Sequence, residues 1–170
     1  MNNSSKMNYK DYYEIIMKIC KGSYGTVFKA KEKETNQIRD IKVIDINHYI
    51  DYLKNTYNEA TITEEMKIKL DKFVNNIKME IKNKYENDNI NSVKIYEYFE
   101  NEKEIAIVME LCDSNIREIL KEKEKGFIPK EISEIMTQLN NSFKKMKENQ
   151  IVHRDIKLDN ILIKFDEKAK

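Results

Sequence analysis

Residues 151–163 read IVHRDIKLDNILI, with Asp155 following His153 and Arg154, a lysine two places on and an asparagine five places on. These are the groups that transfer of a phosphoryl group to an alcohol requires. A Ser or Thr hydroxyl is a poor nucleophile, so a carboxylate must orient it and accept its proton, the role that falls to Asp155. The moving phosphoryl group spreads negative charge over its oxygens, and a cation beside it, Lys157, favours the transition state. A divalent metal bridging the phosphates takes oxygen ligands, and Asn160 offers one. A core histidine, a turn aspartate and an incidental asparagine would have to coincide at several fixed positions to imitate this pattern.

A loop with this chemistry needs a nucleotide site, and three upstream segments offer its parts. Residues 20–27 read CKGSYGTV. This approaches the G-x-G-x-x-G-x-V pattern of a flap whose backbone N–H groups lie over phosphates, with Cys20 in place of the first glycine. A plain hairpin fits the same two glycines. Further on, Ile38, Asp40, Lys42 and Ile44 alternate along one face of a strand. Lys42 there is either a solvated edge residue or a cation held for a phosphate. Glu80, three residues after Ile77 on a helical stripe, could supply the anion that a buried lysine requires, or it sits on a solvated helix edge. The strand at 105–111 ends at Cys112-Asp113-Ser114-Asn115, where free backbone groups suit a purine edge and where an ordinary core strand and turn also fit.

The elements that must position these residues follow from periodicity. Strands are expected at 12–19, 26–31, 37–44, 93–99 and 105–111, with turns at 21–25, 33–36 and 101–103. Met66, Leu70, Phe73, Ile77 and Ile81 recur at helical spacing. A short helix is expected near 116–123. A longer one begins at Pro129 and carries the stripe Ile132, Ile135, Met136, Leu139, Phe143 and Met146 to about residue 148. Residues 1–11 read as disordered and 45–65 as an insertion or loop without clean periodicity. No internal repeat divides the chain.

Composition narrows the classes. The chain has 170 residues, 40% hydrophobic and 36% charged, with a net charge of +1. No excess of one sign advertises nucleic acid or anionic lipid. Two cysteines make no disulfide framework and fit a reducing, cytoplasmic compartment. No apolar run is long enough for a signal peptide core or a membrane span.

From residue 12 to about residue 164 the chain resembles the eukaryotic protein kinases, the family in which the handed-down order is flap, strand lysine, helical glutamate, hinge and catalytic loop. The resemblance implies an α+β fold. Residues 12–111 would form an N-terminal lobe of five antiparallel strands and one helix, and 112–170 the first helices and catalytic loop of a C-terminal lobe, truncated before its Asp-Phe-Gly segment. It implies ATP and Mg²⁺ as cofactors and a protein substrate bearing Ser or Thr, with no nucleic acid or membrane partner. Ile19, Gly22, Gly25, Val27, Lys42, Glu80, Glu110 and Cys112 would bind the nucleotide, Met109 would be the gatekeeper, Asp155 and Lys157 catalytic, and Asn160 the metal ligand. Lys157, two after the base, is similar to the serine/threonine class, and Arg154 to the arginine that pairs with a phosphorylated activation loop.

Departures from the family pattern are as informative. Asp40 stands where the family has a small alanine against the adenine. The interval from Lys42 to Glu80 is about twice the family's usual one. Without the rest of the C-terminal lobe, the 132–146 face is expected to stay exposed and to invite a partner. A kinase-like fragment that binds nucleotide or protein without catalysis is therefore the alternative to an enzyme.

Overall fold

The computed structural model describes residues 8–22, 25–86, 91–153 and 155–165. The chain forms two compact units, Met1–Asn87 with Lys94–Leu111, and Asp88–Val93 with Cys112–Lys170.

The first unit is built on a five-stranded sheet ordered β1-β2-β3-β5-β4, from strands β1 Tyr13–Lys21, β2 Thr26–Glu32, β3 Ile38–Asp45, β4 Ile95–Glu100 and β5 Glu104–Met109. Every neighbouring pair is antiparallel, as expected. Observed strand ends fall within two residues of the expected ones. The β4–β5 hairpin closes on Asn101, whose Oδ1 accepts from the N–H groups of Lys103 and Glu104 at 2.9 and 3.0 Å.

Strands β3 and β5 are central, and their alternation feeds two apolar clusters. Ile41, Val43, Ala106 and Val108 join Tyr13, Ala30 and Phe99 on one face. Ile44, Ile105, Ile107 and Ile95 join Ile77 and Ile81 of helix α3 (Glu64–Glu86) on the other. The stripe expected from Met66 to Ile81 is the face that α3 buries, with Met66 and Ile81 almost wholly enclosed.

Two expectations are corrected. The segment from 45 to 65 is not a loop throughout: Ile46–Tyr57 forms helix α2. Asp45 caps it, its Oδ1 accepting from Asn47 and His48 N–H at 2.9 and 3.3 Å, and Asn58 ends it in the left-handed conformation at φ 53. Ile46 and Leu53 are buried, and the Tyr49 ring stacks on Phe73 of α3 at 3.9 Å. Tyr49, Ile50, Leu53 and Tyr57 do lie at helical spacing, but two of the four are tyrosines among Asn, Asp and His, which hides the stripe. At the N-terminus, residues 1–7 lie outside the described residues, while Tyr9–Tyr12 forms a short helix, α1, rather than continuing the disordered segment. Tyr9 is buried in the cluster that holds Tyr13 and Phe99, and that contact orders it. The Tyr13 hydroxyl donates to Glu97 Oε1 at 2.5 Å, and burial, followed by this bond, pushes its ionisation far above the ordinary phenol range.

The second unit holds β6 (Ser114–Asn115), α4 (Ile116–Glu122), α5 (Pro129–Glu148) and β7 (Leu162–Ile163). Both helices fall where the sequence places them. At the start of α5, Glu131 reaches back: Oε2 accepts from Ile128 N–H at 3.0 Å and Oε1 pairs with Lys123 at 2.7 Å. The α5 stripe contains no buried residue; Ile132 and Met136 are 49% and 54% exposed. Among the described residues no helix is long and apolar enough to cross a membrane.

Asp45→Ala removes the α2 cap and should cost about 0.5–2 kcal/mol; amide exchange should accelerate across residues 46–57 while β3 and β5 stay protected. Glu131 behaves differently. The Lys123 hydrogen bond, with the Ile128 N–H second, holds its carboxyl below the usual range. Its anchoring of α5 is therefore complete above the ordinary glutamate value of about 4.3 and is lost as pH falls through the lower folded-state value. The Ile128 amide resonance should report that acid transition, and Glu131→Gln should abolish it.

Candidate functional site

The first unit holds most of the residues expected to meet a nucleotide. At the β1–β2 turn Gly22 N–H donates to Gly25 O at 2.8 Å; Ser23 and Tyr24 lie outside the described residues. A Cβ at Gly25 would meet Val43 O at 2.5 Å, so only glycine lets the turn lie this close to β3. Val27 stands directly across from Lys42, and Lys42 directly across from Ile107, so all three share one sheet face. Cys20 pairs with Val27, whereas Ile19 falls at a β-bulge and is exposed.

Lys42 and Glu80 are not brought together. Glu80 is 62% exposed and pairs with Lys84 one turn on, at 3.2 Å, and among the described residues Lys42 makes no ion pair. The reason is helical phase. Ile77 and Ile81 point to the sheet, and Glu80, at the border of their stripe, turns to the solvent side where the i+4 lysine meets it. Asp40, on the same face as Lys42, is buried, with 8% of its surface exposed. Met109 lies across from Asp40 at the end of β5. Glu110, just beyond, donates its N–H to Lys94 O at 2.9 Å and accepts from Lys94 N–H at Oε1 at 2.8 Å, which fixes the chain leaving the sheet. Cys112 is half-buried at the start of the second unit.

The second unit holds the residues expected to be catalytic, and these converge. Asp155 Oδ2 lies 3.0 Å from Lys157 Nζ and accepts from Asn160 Nδ2 at 2.7 Å. The same Nδ2 donates to Asp155 O at 2.9 Å. Asp155 N–H donates to His153 Nδ1 at 3.3 Å, the contact that accounts for the histidine; Arg154 lies outside the described residues. The Lys157 bond, then the Asn160 bond, hold the Asp155 carboxyl below the usual range, so it is ionised at neutral pH. Both described Asn160 bonds use its nitrogen, which leaves the amide oxygen suited to a hard cation. Among the described residues no group of three or more His, Cys, Asp or Glu is arranged to hold a metal. A metal held here would take the Asn160 amide oxygen as its protein donor.

Sequence reasoning missed what holds this loop. Leu158–Asn160 is a 3₁₀ turn pinned to α4 by Arg117 Nε to Asp159 Oδ1 at 2.7 Å. The β6–β7 ladder adds Asp113 N–H to Ile163 O and Ile116 N–H to Ile161 O, both at 2.9 Å. Asp113 Oδ2 also accepts from Phe165 N–H at 2.8 Å. Residues 113–115, read as the end of a purine-edge strand, are thus also the loop's scaffold, and no local spacing announces a contact spanning over forty residues.

Comparison with known proteins decides the family. The model of the protein kinase domain matches residues 13–170. The chain belongs to the protein kinase family. It is similar to cyclin-dependent kinase-like 5 of Mus musculus (28% identity over 163 residues, 96% of the chain and 15% of the relative). It is also similar to calcium-dependent protein kinase 5 of Plasmodium falciparum (33% over 165, 95% and 24%) and cyclin-dependent kinase 11 of Dictyostelium discoideum (30% over 152, 89% and 37%). The chain therefore spans between 15% and 37% of these relatives' lengths.

The two flap glycines differ in a measurable way. Gly25→Ala should destabilise the first unit by about 1–3 kcal/mol in urea unfolding, since the Val43 backbone has nowhere to yield. Gly22→Ala, whose Cβ meets nothing nearer than 3.7 Å, should leave the unfolding midpoint nearly unchanged.

Proposed function

We propose that this chain contributes the nucleotide-binding lobe and catalytic loop of an ATP-dependent serine/threonine protein kinase. The observation that carries the reading is the convergence of Lys157 Nζ and Asn160 Nδ2 on one oxygen of Asp155. With that oxygen anchored, Asp155 presents a fixed carboxylate to a substrate hydroxyl, orients it and receives its proton. The hydroxyl oxygen forms a bond to the γ-phosphorus as the bond to the β,γ-bridging oxygen breaks, and ADP leaves with that electron pair. Lys157 offsets charge on the equatorial oxygens. Lys42 would meet the α- and β-phosphates, the Gly22–Gly25 turn would cover them, and backbone groups of Glu110 and Cys112 would meet the base. Asn160 would hold Mg²⁺, which when bound neutralises phosphate charge. Lys157 at two places after the base supports Ser/Thr over Tyr specificity, and a chain with only two cysteines fits a cytoplasmic setting.

A second reading, a nucleotide- or protein-binding module without catalysis, is favoured by buried Asp40 and by Glu80 facing Lys84.

Transfer of labelled γ-phosphate to a basic peptide containing Ser, Thr and Tyr separates the readings. Slow labelling confined to Ser and Thr, lowered about 10²–10⁴-fold by Asp155→Asn, is expected. Labelling that survives Asp155→Asn, or that falls on Tyr, would overturn the proposed roles. Nucleotide binding with no transfer would establish the binding module instead.

A further inference from the structure

Asn160 reaches Asp155 from a 3₁₀ turn, and the same turn carries a charged group that the proposed reaction does not use. Asp159 lies one residue before Asn160 and pairs with Arg117 of α4, Nε to Oδ1 at 2.7 Å. Arg117 sits in the first turn of its helix, where the helix dipole disfavours a cation. It therefore gains nothing from α4 itself, and the carboxylate it reaches explains its placement.

The contacts on either side of Asn160 come from consecutive residues of α4. Ile116 N–H donates to Ile161 O at 2.9 Å, and Arg117 holds Asp159. The start of α4 thus grips the chain immediately after Asn160 and immediately before it. Between these grips, Asn160 Nδ2 donates to Asp155 O at 2.9 Å and to its Oδ2 at 2.7 Å. A second effect is electrostatic. Lys157 Nζ lies 3.0 Å from Asp155 Oδ2, and Asp159 is a second carboxylate near enough to feel Lys157. The Arg117 hydrogen bond is the largest influence holding the Asp159 carboxyl below its usual range, and Lys157 is the smallest. With Asp159 committed to Arg117, Lys157 is left to Asp155.

We propose that Arg117 is a positioning residue for phosphoryl transfer: by holding Asp159 it fixes the turn from which Asn160 reaches Asp155, and it keeps Lys157 on Asp155 rather than on Asp159. The inference rests on the kinase reading above. An ion pair as exposed as this one, with side chains 46% and 42% exposed, contributes little to global stability. Loss of Arg117 therefore shows in turnover and in the state of Asn160 rather than in unfolding.

The test compares the 170-residue chain with Arg117→Ala, Arg117→Lys and the double exchange of Arg117→Asp with Asp159→Arg. Three quantities are measured: transfer of labelled γ-phosphate to the Ser/Thr peptide at varied ATP, the NMR resonances of the Asn160 side-chain amide, and the thermal unfolding midpoint. Arg117→Ala should lower kcat about ten- to a hundredfold and leave KM for ATP within about twofold. It should move the Asn160 amide resonances toward those of a free side chain, with the unfolding midpoint nearly unchanged. Arg117→Lys should retain part of kcat, and the double exchange should recover most of it. Asn160 resonances that stay as in the parent would overturn the inference, as would a double exchange that recovers nothing. A fall in kcat matched by a fall in the unfolding midpoint would reduce Arg117 to a structural contact, which also overturns it. Labelling that Arg117→Ala leaves intact overturns the role of Arg117 alone, whereas no labelling by the parent chain overturns the kinase reading and the inference with it.

Discussion

The burial of β3 on both faces is the constraint from which the first unit follows. It is hydrogen-bonded to β2 on one side and β5 on the other, so neither edge is free to solvent. Its odd positions, Ile41 and Val43, must complete the cluster that holds Tyr13 and Phe99, and Ile44 must complete the one beneath α3. Yet the same strand carries Asp40 and Lys42. Taking a charged side chain out of water costs free energy that its surroundings must return. Such a strand is stable only if the rest of its surroundings is strongly apolar, and β5 meets that demand with four consecutive buried residues from Ile105 to Val108. The apolar surplus in β5 and α3 offsets the charged residues that β3 carries.

That division explains how α3 is held. Its register on the sheet is set by Ile77, Ile81, Leu70, Phe73 and Val74, and by the stack of Tyr49 on Phe73 from α2. Ile46 N–H donates to Lys103 O at 2.8 Å, which ties the start of α2 to the β4–β5 hairpin. Helix α2 thus links the end of the lysine strand to the helix that bears Glu80. None of these contacts requires Lys42 and Glu80 to pair. Glu80 precedes Ile81 by about 100° of helix rotation, and an exposed i,i+4 pair such as Lys84–Glu80 contributes only about 0.3–0.5 kcal/mol. Apolar contacts therefore decide where Glu80 points, and its ion pair follows.

What was legible in the sequence follows the same division. Strands with strong alternation and the helix stripe from Met66 to Ile81 were readable because burial imposes their period. The clustering of Asp155, Lys157 and Asn160 was readable because the three lie within five places of each other. Helix α2 was not, because its buried side includes Tyr49 and Tyr57, which the eye groups with their polar neighbours, and because a cap such as Asp45 carries meaning only once a helix is suspected. The Lys42–Glu80 relation was not legible either. A position at the margin of a stripe leaves two orientations open, and only the packing of α2 and the sheet chooses between them. Arg117–Asp159 belongs to a third class, a contact between segments distant in sequence with no periodic signature at all.

The loop around Asp155 shows why a local motif can be a sufficient signature. Its three functional side chains are joined by bonds that close within six residues, so their mutual geometry needs little from the remainder of the fold. The scaffold of Arg117–Asp159 and the β6–β7 ladder only has to hold the turn that contains them. This economy has a chemical consequence. Lysine and amide donors that immobilise the carboxylate also lower its affinity for a proton, which makes Asp155 a weak base. The phosphoryl transfer proposed above would tolerate that loss, because its transition state is loose and the hydroxyl proton need not leave early. What such a reaction would need from the carboxylate is a fixed direction for the attacking oxygen, which the two donors on Oδ2 would supply. A reaction that depended on deprotonating its nucleophile before attack would select the opposite environment, one that raised the carboxyl's proton affinity by burial.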